Sequence, residues 1–374
     1  MSSSSSSSSS IAVKDVPMEV DPEELVRRSP WLQHIPYLQP GYIPKLKGIV
    51  EQLARSYDGD FCWASSFRPD FIAALMSHGF LTMATDTGNF RKDAGLAVML
   101  PKLHQERCVL RFADMRVQRG TRKKAKHFKL TTNTAFDDVV TGLREQHGPE
   151  CWFYAPLVQA LRKILENPGD YDQWETCVSS DSTLSPVAVR VPVRVHSFEI
   201  WDAVTGDLAA GEIGCSVGSV YTSMSGFSRA SSAGSVQMAA TAALLVRRGC
   251  TLWDLGMELK YKIEMGAKSI PRRKFLDAIA EGKKPYLEHE KWRTVDDCGS
   301  SSLPESSGNM QQQSAHSLEF RDFEKIGVSK RHSAHDIIKG FDPRALEVSV
   351  SGGRRLRATP PEAESESESA VQTE

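Results

Sequence analysis

YTSMSGFSRASSAGSVQMAATAALLVRRGCTLWDLG, residues 221–256, runs from a strand through a serine-rich turn into a helix of small apolar residues, then into a short strand. Ser231 or Ser232 offers the short side-chain oxygen that caps a helix N-terminus. Val236, Ala239, Ala240, Ala243 and Leu244 recur at three- and four-residue spacing and mark the helix's inner face. Gly249 terminates the helix, and CTLWDLG reads as a short buried strand. Upstream, VRVHSFEIWD alternates as a half-buried strand does, and GEIGCSVGSVYT reads as a hairpin turning at Val217–Gly218. Downstream, SIPRRKFLDAIAEG predicts a helix with Pro271 in its first turn and Gly282 after its end. Hairpin, helix, strand and helix together predict an α+β layer with a mixed sheet.

Around this stretch the 374-residue chain divides by composition. Residues 1–25 read as a disordered serine-rich tail, because a serine tract buries too little to offset its ordering entropy. Residues 26–165 read as a smaller α+β domain: FRPDFIAALMSHGF, TAFDDVVTGLREQ and APLVQALRKILEN are helical, and GLAVMLP and HFKLTTN are strands. A Pro/Ser-rich linker or insertion (166–188) precedes the main domain (189–295), and 296–374 reads as mostly disordered, with one amphipathic piece, HSLEFRDFEKIGV.

Composition excludes several function classes. The 46 basic and 47 acidic side chains nearly cancel, so any polyanion site is a local patch. Seven cysteines stand singly with no CxxC pair, which argues against a disulfide framework or structural zinc and suits a reducing compartment. No apolar run approaches the roughly 18 residues of a membrane helix, and the acidic residues behind the serine tract oppose a transit peptide. These features predict a cytoplasmic protein with no membrane partner, no metal and no cofactor.

Four local patterns bear on chemistry. Gly214-x-Ser216-x-Gly218 matches a nucleophile elbow, but that motif needs a helix leaving the serine, and the β-like SVYTSM leaves here. RASSAGSV is similar to the pyrophosphate loop of CoA-dependent acetyltransferases, in which helix N-terminal amides hold phosphate, except that Ser232 fills the first glycine slot. A capped, closely packed helix explains the same residues. RVQRGTRKKAKHFK gathers Arg116, Arg119, Arg122, Lys123, Lys124, Lys126 and Lys129, a cluster suited to a phosphate backbone, a solvated loop or an import signal. The HSAH pair (332–335) has metal-like spacing without acidic or cysteine partners.

HSFEIWD, FSRASSAGS, LWDLG and GAKSIPRRKFLDAI, with LAVMLPKLHQERCVLRF, TTNTAFDDVV and CWFYAPLVQAL upstream, resemble the leucyl/phenylalanyl-tRNA–protein transferase family across residues 62–282. The resemblance implies an N-acetyltransferase-like domain that has exchanged CoA for aminoacyl-tRNA. It implies an aminoacyltransferase moving a Leu, Phe or Met type residue from tRNA to the α-amine of an acceptor protein, as in marking proteins for degradation. Trp152 stands where the family places a tryptophan near the donor's terminal adenosine. Phe227, Ser228 and Arg229 match the family's FSR, and Asp254 matches the aspartate of its proposed catalytic pair. On this reading Asp254 polarises the attacking amine, Trp152 and Phe227 line the donor pocket, and Arg229 with the 116–129 cluster meets tRNA phosphates.

The sequence departs from the family at four places. The pair's glutamine is Gly256, the glutamate three residues before FSR is Met224, a histidine is Tyr261, and a glycine-rich string is ASSF (64–67). An α-amine with a pKa near 7.7–8 is about one-tenth neutral at pH 7, and a general base adds about 10²–10⁴-fold. Losing one relay residue therefore slows transfer without ending it. Glu258, two residues past Gly256, is a candidate anion to replace the one missing at Met224. Two alternatives stand beside transfer: a divergent binder of tRNA or protein N-termini on the same fold, and an acyl-CoA acyltransferase.

Overall fold

The computed structural model describes residues 17–87, 96–177, 187–296 and 331–343. In chain order the first half forms α1 (Pro22–Arg28), α2 (Leu46–Ser56), α3 (Pro69–Ser77), β1 (Leu81–Asp86), β2 (Ala97–Lys102), β3 (Glu106–Arg111), α4 (Arg119–Lys124), β4 (Phe128–Thr132), α5 (Phe136–His147) and α6 (Ala155–Glu166). The second half forms β5 (Gln173–Cys177), β6 (Val187–Val191), β7 (Val193–Asp202), β8 (Leu208–Val217), β9 (Val220–Ser228), α7 (Ala233–Arg247), β10 (Leu252–Asp254), α8 (Lys260–Glu264), β11 (Lys268–Pro271) and α9 (Arg272–Asp296). β12 (His332–Ser333) and α10 (Ala334–Ile338) follow.

Eight strands join in the order β11-β3-β10-β9-β8-β7-β4-β12. Only the β9–β10 pairing is parallel, so the sheet is mixed, and the expected α+β class holds. The parallel step follows from the connection: α7 crosses over the sheet between the two strands and returns the chain to the same end. β8 is buried along its whole length, and β7 nearly so. The alternation of VRVHSFEIWD predicts a half-buried strand, but helices cover both faces. α7 packs with Phe198, Tyr221 and Trp253, while α3, α5 and α6 pack with Val195, Ile213 and Phe227.

The sheet runs across the 166–188 segment. β3 and β4 lie before it in sequence, yet β3 is inserted between β10 and β11, and β4 extends the sheet beyond β7. β5, within the segment, pairs with β6, which begins at the segment's end, as a separate two-stranded antiparallel sheet.

Both expected tails contain ordered pieces. Asp21 accepts a hydrogen bond from Glu23 N at 3.0 Å and starts α1, whose Leu25 packs with Leu32, Trp63 and Val98. Near the other end, His332 and Ser333 add β12 to the edge at β4, and α10 buries Ala334, Ile337 and Ile338 against the α7 layer. Arg122 fastens this piece by donating to the carbonyls of Ile338 (3.2 Å) and Phe341 (2.8 Å). The HSAH spacing thus belongs to a strand and the first turn of a helix. HSLEFRDFEKIGV lies outside the described residues.

α5 carries Ala135 at its N-cap, a residue with no capping oxygen. Glu199 of β7 instead holds the residues leading into the helix, accepting from Thr134 N and Ala135 N at 3.3 Å each. That bond fixes where the far end of α5 meets the sheet.

Ile338 is 1% exposed. Truncating it as Ile338→Ala should cost about 2–5 kcal/mol, the range for a well-packed core aliphatic, read as a lowered urea midpoint. An unchanged midpoint would mean that residues 331–343 are not fastened to the sheet.

Candidate active site

A cavity of about 730 Å³ opens between the start of α7, the end of β9, the last turn of α5 and the α8 region. A β-bulge shapes its floor. Along β8 and β9, Ile213 pairs with Ser225 but Gly214 pairs with Ser223, so Met224 is the extra residue on its strand. The glycines of GEIG flank this point for steric reasons. A Cβ at Gly214 would lie 2.1 Å from the Tyr221 hydroxyl, and one at Gly211 would lie 2.7 Å from the Phe227 ring. Their bare backbones let one aromatic ring reach each side of Glu212.

Glu212 is the buried acid of the cavity wall, 3% exposed. Its Oε1 accepts from the Tyr221 hydroxyl and the Ser223 hydroxyl at 2.7 Å each, and Oε2 accepts from Gln237 Nε2 at 3.0 Å. Trp253 Nε1 donates to Ser223 Oγ at 2.8 Å, holding that hydroxyl toward the carboxylate. Burial pushes the Glu212 carboxyl above the usual glutamate range, and the bonds from Gln237, Ser223 and Tyr221 oppose that shift. Lys262, also on the wall, donates to the carbonyls of Leu255 (2.6 Å) and Met257 (2.7 Å), and burial lowers its pKa. Met257, Leu259 and Tyr261 form an exposed apolar lip at the mouth.

Of the residues expected from sequence, Met224, Phe227 and Ser228 line this cavity, as does Tyr261, whose phenol burial pushes up to about 12. Ser228 does the capping expected of Ser231 or Ser232: its Oγ accepts from Gly234 N at 3.1 Å. Ser232 stands at the N-cap position with φ +70° and makes no cap bond, because a left-handed backbone turns its side chain away from the helix amides. Its Oγ instead accepts from Lys124 Nζ at 2.8 Å. Ser216 sits within β8 rather than at a turn, 2.9 Å from buried His196 Nε2, so it is not presented as an elbow nucleophile is.

Other expected residues lie apart from the cavity. Trp152 stacks on Phe153 at 4.3 Å between ring centroids and packs on the core beneath α5 and α6. Arg229 pairs with Glu145 and covers the Phe227 ring at 4.9 Å, on the outer side of that wall. Glu258 is exposed and accepts from Ser269 Oγ.

Asp254 is fully buried and does not line the cavity. Arg107 grips both its oxygens, at 2.9 Å and 2.7 Å, while Thr222 Oγ1 and Gly256 N each donate at 2.9 Å. Both oxygens are taken by these donors, neither lines the cavity, and the carboxylate is the charge partner of buried Arg107. Gly256 has φ +72°, a conformation that glutamine adopts only with strain.

The basic cluster divides in the same way. Arg116, Arg119, Lys123, Lys124 and Lys126 are exposed on or beside α4, and Arg116 reaches the cavity rim. Arg122 is turned to the carbonyls of Ile338 and Phe341, and Lys129 lies on β4 between β7 and β12.

Sequence reasoning passed over Glu212, Tyr221, Ser223, Gln237 and Lys262. The signal for Glu212 was a lone acid between two glycines in an otherwise apolar strand. The partners are 9, 11, 25 and 50 residues away from it in sequence, and no local pattern joins them. Among the described residues no cluster of histidine, cysteine, aspartate and glutamate could hold a metal, and no helix is long and apolar enough to cross a membrane.

Fold and cavity together define a mixed-sheet α+β protein whose deep cleft combines apolar walls, a buried acid and a basic rim. Residues 191–280, which build most of that cleft, match the family model described as leucyl/phenylalanyl-tRNA protein transferase. Proteins of that name from Tolumonas auensis (29% identity over 50% of this chain and 70% of theirs) and Salmonella newport (25%, over 52% and 68%) are similar to it. One from Stutzerimonas stutzeri is 25% identical over 62% of this chain and 88% of its own. The resemblance read from FSR, LWDLG and IPRR is borne out by these matches.

Asp254→Asn should destabilise the protein by about 3–5 kcal/mol, the cost of leaving a buried charge unpaired, with Arg107 as that charge. Chemical denaturation measures it; a midpoint equal to wild type would mean that Arg107 finds other compensation.

Proposed function

We propose that the protein transfers an amino acid of Leu, Phe or Met type from aminoacyl-tRNA to the N-terminal α-amine of an acceptor protein. The observation that carries this reading is the coincidence of the family-matched stretch with a cleft of suitable chemistry. Met224, Phe227, Leu255 and Met257 give an apolar wall for a donor side chain. Arg116 and, on α4, Thr121 border the cleft, and the exposed basic residues on and beside α4 continue from there as a surface for a polyphosphate strand. Lys124 ties that basic helix to the start of α7 through Ser232, so the phosphate-binding surface and the cleft are held in one register. The donor ester is already activated, and the task left to the protein is positioning, which supplies about 7–11 kcal/mol in well-oriented reactions. The activity needs no metal or redox group and places the protein in the cytoplasm with charged tRNA.

The deciding test supplies labelled leucine, phenylalanine or methionine on tRNA and peptides with varied N-terminal residues. The expected outcome is stable label in the peptide that requires a free α-amine. Tight tRNA or peptide binding with no transfer from any donor would overturn the proposal in favour of a binding protein, and transfer from acyl-CoA would identify the acyl-CoA alternative.

tRNA binding should weaken with salt. Replacing Arg119, Lys123 and Lys126 together by Gln should reduce the slope of log K against log salt by about 0.7–0.9 for each phosphate no longer neutralised. A slope unchanged in the triple variant would remove α4 from the tRNA surface.

A further inference from the structure

The cleft contains a carboxylate that the family resemblance does not account for. The family's glutamate position on β9 is Met224, the glutamine position is Gly256 with no side chain, and Asp254 is sealed by Arg107. Glu212, on the neighbouring strand, lines the same cleft as Met224. We infer that Glu212 is the group that holds the attacking α-amine and takes its proton, a role moved from β9 and β10 to β8. The inference rests on the aminoacyl-transfer reading above.

Three features support it. The bulge at Met224 withdraws one β9 residue from the pairing register, and Glu212 faces Ser223 and Tyr221 across the resulting step. All of Glu212's protein partners are donors, three in number, and Oε2 receives only one of them, the Gln237 amide, so this oxygen can accept another hydrogen bond. The groups facing it are Tyr221 and Ser223 from β9 and Gln237 from α7, with Lys262 of α8 the charged neighbour across the wall. A polar group so costly to bury is retained here beside a cleft, where a ligand amine would be its natural partner.

The step balances. The lone pair of a neutral α-amine attacks the ester carbonyl carbon, and a C–N bond forms as the C–O bond to the ribose breaks. The proton displaced from nitrogen passes to Glu212, and from Glu212 to the departing ribose oxygen. The products are an amide and a free tRNA hydroxyl, and the carboxylate is regenerated.

Glu212→Gln keeps size and shape. Its new amide finds an acceptor if Gln237 turns its own amide over, so the variant is expected to fold. It also removes a carboxyl whose charged form burial disfavours. The experiment compares wild type, Glu212→Gln and Glu212→Asp in the transfer assay and in thermal denaturation at pH 7. The expected result is a kcat lowered by about 10²–10⁴-fold in Glu212→Gln, partial recovery in Glu212→Asp, and a Tm equal to or above wild type. Wild-type transfer by Glu212→Gln would overturn the inference and leave the transferase reading standing. A loss of transfer with a lowered Tm and no recovery in Glu212→Asp would also overturn it, assigning Glu212 to structure.

If wild type transfers nothing, the transferase reading fails, and the amine site is judged by binding alone. Arg-Ala-Ala should then raise the Tm of wild type more than its N-acetylated twin does, and Glu212→Gln should abolish that difference. No discrimination between the two peptides by wild type would overturn the inference.

Discussion

The buried ion pair between Arg107 and Asp254 is the constraint on which the sheet depends. It joins β3 to β10, draws in Thr222 of β9, and places the guanidinium 4.7 Å from the Phe275 ring at the start of α9. His104 completes the set: burial, then the charge of Arg107, lowers its pKa to about 2, so it stays neutral and accepts from the guanidinium. A buried pair of this kind contributes little net stability against an apolar substitute, yet losing either partner is costly. It therefore specifies one arrangement of strands. Arg272, from the IPRR string, acts similarly by donating to five backbone carbonyls, those of Leu53, Tyr57, Gly59, Leu103 and His104. Two of the strings that mark the family resemblance are thus explained by architecture.

This has a consequence for chemistry. The Asp254 carboxylate is fully committed to a guanidinium, a hydroxyl and an amide, and neither oxygen has room for a further donor. Glu212 has the opposite environment, with a raised pKa and an open face on the cleft. Two acids on strands of one sheet thus differ in what surrounds them: Asp254 is enclosed by Arg107 and its other donors, and Glu212 lines the cleft.

Much of the fold was legible from local pattern. The α7 period and the β8–β9 hairpin follow from residues within a few positions of each other, whereas Pro271 closes β11 rather than opening α9, and α9 runs on past Gly282, the glycine expected to end it, to Asp296. The site was legible in part: Met224, Phe227 and Ser228 fall on the cleft, since they lie on the strand that leads into α7. Glu212 was missed because its significance comes from Gln237 on a helix and Trp253 on another strand. The capping serine was misplaced for a comparable reason. Ser232 carries the favoured side chain, but its left-handed backbone faces Lys124, and Ser228 reaches the helix from six residues upstream of Gly234.

The sequence alone settled element types, the α+β class and the similarity to a family of transferases, because periodicity and contiguous motifs are local properties. It could not place β3 and β4 in the same sheet as β7–β10, nor return residues 331–343 to the β4 edge. Strand pairing between segments far apart in sequence depends on which faces remain unburied once the helices have packed. The same long-range packing seals Asp254 and leaves Glu212 open to the cleft, a distinction between two acids that no neighbouring residue encodes.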